Sequence, residues 1–254
     1  MATLRREAAQ VDPVRLEPDT TYEDDAAASG WRRWGKTLAG WRRAAPTPAR
    51  VLPAADAYAL WAETYPPRAH NPVMAAEQAV MAPLLASLSS QRALDVGTGT
   101  GRNLPHLAAA GARSVVGVDL SMPMLQGGIV DHRAVCADAL HLPFRSRTFD
   151  VVCSSLMAGD IADLDAWVGE AARLLARQGH LVYSDFHPAW AESGWRRTFR
   201  SAAGEQIELR YFSHSLSQHL AALERAGLDV RIIREPRVDG RRAPVIVLFH
   251  AVKP

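Results

Sequence analysis

The sequence predicts an α/β fold: a mostly parallel sheet of seven strands with helices on both faces and an antiparallel pair at its C-terminal edge. Three observations predict it. Short apolar runs alternate with helical patterns from residue 93 onward, and βα alternation of this kind implies a parallel sheet covered on both sides. Glycines at 97, 99 and 101 directly follow the first run, where a strand would turn into a helix beside a ligand crevice. Apolar runs at 228–233 and 245–249 flank a turn-rich segment with Asp239-Gly240, the pattern of two antiparallel strands closing one edge.

Residues 1–50 are charged, proline-bearing and without a sustained period, so they read as a flexible arm ahead of a domain at 51–254. Within the arm Trp31, Trp34, Leu38 and Trp41 recur at helical spacing with arginines between them, a short amphipathic helix. It suits packing on the domain, contact with a membrane surface, or a cap over a pocket. A second helix starts at Asn71, a good N-cap, with Pro72 in its first turn and Met74, Met81, Leu85 and Leu88 on one face. Pro83 is expected to kink or split it. Strands are expected at 93–96, 115–119, 134–137, 151–154 and 181–184. The helix before the fifth carries Leu164, Val168, Ala171 and Leu175 on one side and stops at Gly179. A lid-like insertion is expected at about 190–214, a small hairpin around Ala203-Gly204 over the pocket mouth.

Composition bounds the function. With 254 residues, 48% hydrophobic and 22% charged, the chain is neither collagen-like nor wholly disordered. A formal charge of +2 leaves no general nucleic-acid footprint. Cys136 and Cys153 lie in strand-like apolar runs and read as small core thiols of a reducing compartment. The N-terminus lacks an apolar leader, and the longest apolar run, 245–249, is far short of a membrane span. A soluble cytoplasmic protein is the expectation.

The chemistry concentrates in ALDVGTGTGRN, residues 93–103. Glycine permits a tight turn and lets a ligand approach the main chain, and amides opening the next helix then face that ligand. Asp119 ends the next strand, where a carboxylate can accept from two ribose hydroxyls, although aspartate is also a common strand-end turn residue. The loop is G-x-G-x-G rather than the G-x-G-x-x-G of dinucleotide proteins. Asp95 stands two positions before it, where a carboxylate would repel a pyrophosphate but help hold an ammonium group through the loop or a water.

These motifs resemble the class I S-adenosylmethionine-dependent methyltransferases, a Rossmann-like fold, and within them the small-molecule group of ubiquinone, menaquinone and malonyl-carrier methylases. The resemblance runs from about Tyr58 to the C-terminus. It implies that DVGTGTG, with Asp95, Gly97, Thr98, Gly99 and Gly101, is the cofactor loop, and that Asp119 grips the ribose with Leu120 beside it. In CADALHLPF, Asp138 would accept from the adenine amine next to Ala139, and in FDVVCSSLM, Ser154 and Ser155 would border the methionine part. Tyr65 matches an aromatic that many relatives fold over the cofactor. The chain departs in carrying Ala158, Gly159 and Asp160 where many relatives have a histidine after the fourth strand. It also lacks the Asp/Asn-Pro-Pro-aromatic motif of base methylases, so nucleic acid is not the expected partner.

The reaction implied is transfer of a methyl group from S-adenosylmethionine to oxygen or carbon of a small metabolite, leaving S-adenosylhomocysteine. Candidate catalytic groups are His187, just past the fifth strand, and Asp160. His70, Arg197, Arg200 and Tyr211 are candidate substrate contacts, the arginines suiting an acidic group. Asp185-x-His187 lacks further ligands at familiar spacing, so no metal is expected. Rival readings are a cyclase-like or purely binding protein on the same fold, a nicotinamide oxidoreductase, and an interaction module built on the Trp/Arg segment.

Overall fold

The computed structural model describes residues 49–128, 133–192, 194–238 and 243–254. The arm, its tryptophan helix and the Asp239-Gly240 turn lie outside the described residues. Strands are β1 (Arg50–Leu52), β2 (Arg92–Val96), β3 (Ser114–Asp119), β4 (Ala134–Cys136), β5 (Phe149–Ser155), β6 (Leu175–Phe186), β7 (Thr198–Arg200), β8 (Gln206–Leu209), β9 (Asp229–Arg234) and β10 (Ile246–Val252). Helices are α1 (Ala54–Trp61), α2 (Pro72–Ala86), α3 (Leu104–Ala109), α4 (Met122–Gln126), α5 (Leu164–Leu174), α6 (Pro188–Glu192) and α7 (Leu216–Arg225).

Seven strands form the predicted sheet in the order β4-β3-β2-β5-β6-β10-β9. The first five in that order pair parallel, while β10 runs antiparallel to both β6 and β9. From β2 the chain steps out through β3 to β4, then returns to β5 on the other side of β2. The carboxyl end of β2 is therefore where the strand order reverses, the place a ligand crevice opens in such sheets. One face carries Trp167 of α5, Tyr183 and Phe249, with ring centroids about 5 Å apart along the row. The other packs Met81 and Leu85 of α2 against Leu107, Val151 and Val182.

Local chemistry explains the elements. Asn71 accepts the Met74 amide at 2.9 Å and caps α2, as its position predicts. Of the kink or split expected at Pro83, the split does not occur: the helix runs continuously to Ala86. Proline removes one amide donor, but the packed row of Met74, Met81 and Leu85 holds the helix across the missing bond. Asp163 caps α5 by accepting from Ala166 at 2.9 Å. The expected stop at Gly179 is corrected: α5 ends at Leu174 and β6 begins at Leu175, which pairs with Phe149. The left-handed residue is Gln178, φ 61°. Gly179 lies in the strand, where a Cβ would meet the Ala176 carbonyl at 2.8 Å. Cys153 is buried as expected, but Cys136 is exposed on the edge strand β4.

A separate three-stranded sheet has the order β1-β8-β7, with β7 and β8 antiparallel and β1 parallel to β8. Its first strand lies at the expected boundary between arm and domain, a segment too short and too polar to read as a strand. Trp61 at the end of α1 stacks on Phe199 of β7 with centroids 4.5 Å apart. Among the described residues no helix is long and apolar enough to cross a membrane.

Candidate active site

The loop leaving β2 is built from left-handed glycines: Gly97, Gly99 and Gly101 have φ of 70°, 57° and 86°. Thr98 donates its amide to the Val118 carbonyl at 2.9 Å, tying the loop to β3. Asp119, the last residue of β3, accepts the Gly99 amide through one carboxylate oxygen and the Ser121 amide through the other, each at 2.8 Å. Burial raises its pKa, and the Ser121, Gly99 and Leu120 amides act against that rise. Each carboxylate oxygen has two acceptor positions, so both keep one for a ligand. Leu120 beside it is 55% exposed, an apolar side chain presented at the crevice. Across the β3–β4 pairing Asp119 lies opposite Cys136, which brings Asp138 and Ala139 to the same edge. Asp138 accepts the Leu140 amide at 2.9 Å, lies 3.7 Å from the His141 imidazole and is half exposed.

This donor set fits an adenosyl cofactor. A Cβ at Gly99 would meet only the terminal carbon of Met124, at 3.2 Å, so the cradle would be narrowed by any other residue. The carboxylate, the neighbouring apolar side chain and the second acid are what ribose and adenine need at successive positions.

Asp95 is fully buried and turned inward. It accepts from Thr98 Oγ1 at 2.7 Å, Cys153 Sγ at 3.3 Å and Asn103 Nδ2 at 3.4 Å. Burial pushes its carboxyl up to about 6, against those three donors. Any influence on a ligand therefore passes through the loop that Asp95 braces.

Behind the loop lies a polar network that sequence reasoning missed. Glu77 of α2 has 0% exposure. Its Oε2 accepts from Arg102 at 2.8 Å, and its Oε1 accepts from Ser155 at 2.7 Å and Ser184 at 2.9 Å. Asn103 donates to Ser155 at 2.9 Å and closes the circuit to Asp95. The signal was available, since Glu77 falls between Met74 and Met81 on the apolar face of α2, where a carboxylate needs a buried partner. Ser155 thus belongs to this network, whereas the buried hydroxyl of Ser154 has no hydrogen-bond partner among the described residues.

On the other side of the crevice Tyr65 packs its ring edgewise on Trp61 and His70, each 4.9 Å away. His70 reaches the Arg68 carbonyl at 3.3 Å, and burial lowers its pKa. Asp160 ends the 3-10 turn Ala158–Asp160 after β5 and pairs with Arg197, both side chains 7% exposed. Tyr58 of α1 also accepts from Arg197. Burial pushes the Asp160 carboxyl up to about 6, with Arg197 opposing. The Arg197 guanidinium lies 5.0 Å from the Phe186 ring centre, and Tyr211 donates to the Phe186 carbonyl at 3.3 Å. Asp160, Arg197 and Tyr211 are thus brought together. Arg200 is not, being exposed and bonded to the Gly204 carbonyl at the hairpin turn. His187 is likewise engaged elsewhere: Nε2 meets Glu235 at 3.0 Å and Nδ1 accepts the Ala189 amide at 3.2 Å.

Gly159 makes the Tyr211 position possible, because a Cβ there would lie 1.9 Å from Cε2 of that ring. Gly159→Ala is expected to cost about 1–3 kcal/mol by overpacking, read as a lowered thermal midpoint. In a Tyr211→Ala background the same substitution should cost almost nothing. An equal loss in both backgrounds would exclude the ring as its cause.

Comparison with known proteins agrees with this geometry. A family described as a methyltransferase domain matches residues 94–183. A demethylmenaquinone methyltransferase of Corynebacterium urealyticum is 39% identical over 98 residues, 37% of this chain and 41% of that protein. The chain therefore matches less than half the length of that relative. Among solved structures, an S-adenosylmethionine-dependent methyltransferase from Mesorhizobium loti superposes with a TM-score of 0.55 and 23% identity, over 67% of this chain and 96% of the other. The [4+2]-cyclase SpnF superposes with a TM-score of 0.57 and 18% identity, over 82% and 98%. Residues 94–183 thus match a methyltransferase domain, within a seven-stranded fold shared with solved S-adenosylmethionine-dependent methyltransferases.

Proposed function

We propose that the protein transfers the methyl group of S-adenosylmethionine to an oxygen or carbon atom of a small-molecule acceptor. The observation that carries this reading is the Asp119 carboxylate, pinned by the Gly99 and Ser121 amides beside the left-handed glycines. In this reading Asp119 holds the ribose, Leu120, Asp138 and Ala139 border the adenine, and Gly97, Thr98, Gly99 and Gly101 follow the methionine part, braced by Asp95 and flanked by Ser154 and Ser155. Tyr65 covers the crevice from the α1 side.

The bound sulfonium supplies an already activated methyl group, so the protein chiefly positions the acceptor and excludes water. The Asp160 carboxylate is engaged by Arg197, so in this reading it orients that guanidinium rather than taking a proton from the acceptor. Nothing in its surroundings supports His187 for that task, because both of its ring nitrogens already have partners.

Saturable binding of S-adenosylhomocysteine in calorimetry, with no competing binding of NAD, is the expected result. Its absence on folded protein would overturn the reading. The likeness to a cyclase favours one second reading, a cofactor-fold protein that does not methylate. Formation of S-adenosylhomocysteine from S-adenosylmethionine with an acceptor panel separates the two.

A further inference from the structure

Beside the three-stranded sheet lies an open cavity of about 300 Å³ whose lining includes Trp195, Arg196, Arg197, Leu209, Arg210 and Tyr211. Its charge is lopsided. Three guanidinium groups line it with a single carboxylate, Glu208, which pairs with Arg196 at 3.0 Å. Arg197 is tied from behind to Asp160, and Arg210 has no ion pair among the described residues. The cavity therefore offers positive charge that its own walls do not neutralise.

Arg197 is 8% exposed, unusually enclosed for an arginine. Its hydrogen bonds to Asp160 and Tyr58 engage one N–H on each terminal nitrogen. A guanidinium has five N–H donors, so Nε–H and the second N–H of each terminal nitrogen have no hydrogen-bond partner among the described residues. Aromatic rings flank it instead, with Phe186 at 5.0 Å, Tyr58 at 5.9 Å and Tyr211 at 6.0 Å. A planar cation fixed from one side, with spare donors and aromatic walls, is preorganised for a planar anion.

Two close packings lie between the glycine loop and this lining. A Cβ on Gly97 of the cofactor loop would touch the Met157 side chain at 2.6 Å, and Gly159, two residues on, lies beneath the Tyr211 ring that lines the cavity.

We propose that this cavity is the subsite for the carboxylate of an aromatic acid acceptor, with Arg197 as its anion receptor and with Asp160 and Tyr58 as positioning residues that fix the guanidinium. The proposal rests on the methyl-transfer reading and adds the acceptor's chemical class. The acid's carboxylate meets the free edge of Arg197, and Trp195 and Tyr211 flank its ring.

The test uses full-length protein, 4-hydroxybenzoate and its neutral analogue 4-hydroxybenzamide, titrated in a calorimeter with and without S-adenosylhomocysteine. The wild type is expected to bind the acid about 10-fold more tightly than the amide. Because Arg197→Gln alone would orphan the buried Asp160 charge and could unfold the protein, the decisive variant is the double substitution Asp160→Asn with Arg197→Gln, which removes both charges. It should bind both probes equally while still binding S-adenosylhomocysteine. Equal affinity of the wild type for acid and amide, no binding of the acid, or a preference that survives in the folded double variant would each overturn the subsite. Binding of S-adenosylhomocysteine in those same samples would show that the methyl-transfer reading stands when the subsite falls.

Discussion

Replacing Asp119 with alanine is expected to raise the dissociation constant for S-adenosylhomocysteine by about 100-fold or more, the largest loss of binding any single substitution should produce here. Each hydrogen bond from a hydroxyl to an ionised acceptor contributes about 1.5–3 kcal/mol, and the two oxygens of Asp119 each keep one acceptor position for a ribose hydroxyl after taking an amide. Water partly replaces the lost bonds, which holds the net loss near the lower end of their sum. The fold should lose little. Burial raises the Asp119 pKa, so its charge is not what stabilises the folded chain, and removing it leaves two amides beside an open crevice. A fall of about 1 kcal/mol or less is expected in thermal unfolding. Asp119→Asn keeps one acceptor and should lie between, roughly 10-fold weaker than wild type. A dissociation constant for the alanine variant within threefold of wild type would remove Asp119 from the ribose site.

The two halves of the site differ in how far the sequence discloses them. The placement of Asp119 beside the glycine loop was legible because it depends on local grammar: an apolar strand, an acid at its end and a glycine loop one unit upstream. Asp95 was visible for the same reason, yet its direction was not, because whether a strand-end carboxylate faces ligand or loop depends on Thr98, Asn103 and Cys153, which reach it from two elements. Gly179 misled for a related reason. A glycine after a helical pattern reads as a stop, but the chain had already found a strand partner at Phe149 for Leu175, and a tertiary pairing overrides a local preference.

The cluster around Arg197 depends on long-range meetings throughout. Tyr58, Asp160 and Arg197 come from α1, the turn after β5 and the residue before β7, and nothing in their spacing says that they touch. A charged side chain in a surface-like run, WRRTFR, carries no mark that distinguishes Arg197, which is buried, from Arg196 and Arg200, which are exposed. Alternation gives the only hint. Arg197, Phe199, Ile207 and Leu209 are all buried, a period of two within each strand, while Thr198 and Arg200 point outward.

Glu77→Ala is expected to be the most damaging substitution for stability, about 3–5 kcal/mol, because it breaks a buried ion pair from one side and leaves the other charge behind. The Arg102 side chain is only 10% exposed. Burial lowers its pKa while the Glu77 carboxylate more than offsets that, for a net rise, so without Glu77 the guanidinium faces the desolvation cost alone. Ser155 and Ser184 lose their acceptor in the same step. For a chain of this length 1 kcal/mol corresponds to about 2–4 °C in thermal midpoint, so a fall of roughly 10 °C should be seen. Glu77→Gln preserves an oxygen acceptor and the packing, and should lose less than half as much. The double substitution Glu77→Met with Arg102→Met separates charge from shape. It removes both ions and fills the space with apolar atoms, so it should recover most of the stability lost by Glu77→Ala, as replacing both members of a buried pair generally does. Stability and binding should then part company. Arg102 adjoins Gly101, and Asn103 braces both Asp95 and Ser155, so the double variant should unfold near the wild-type temperature yet bind S-adenosylhomocysteine more weakly, with its loop no longer anchored to α2. A Glu77→Ala protein within 1 kcal/mol of wild type would show instead that water reaches Arg102 and that the network does not hold the loop.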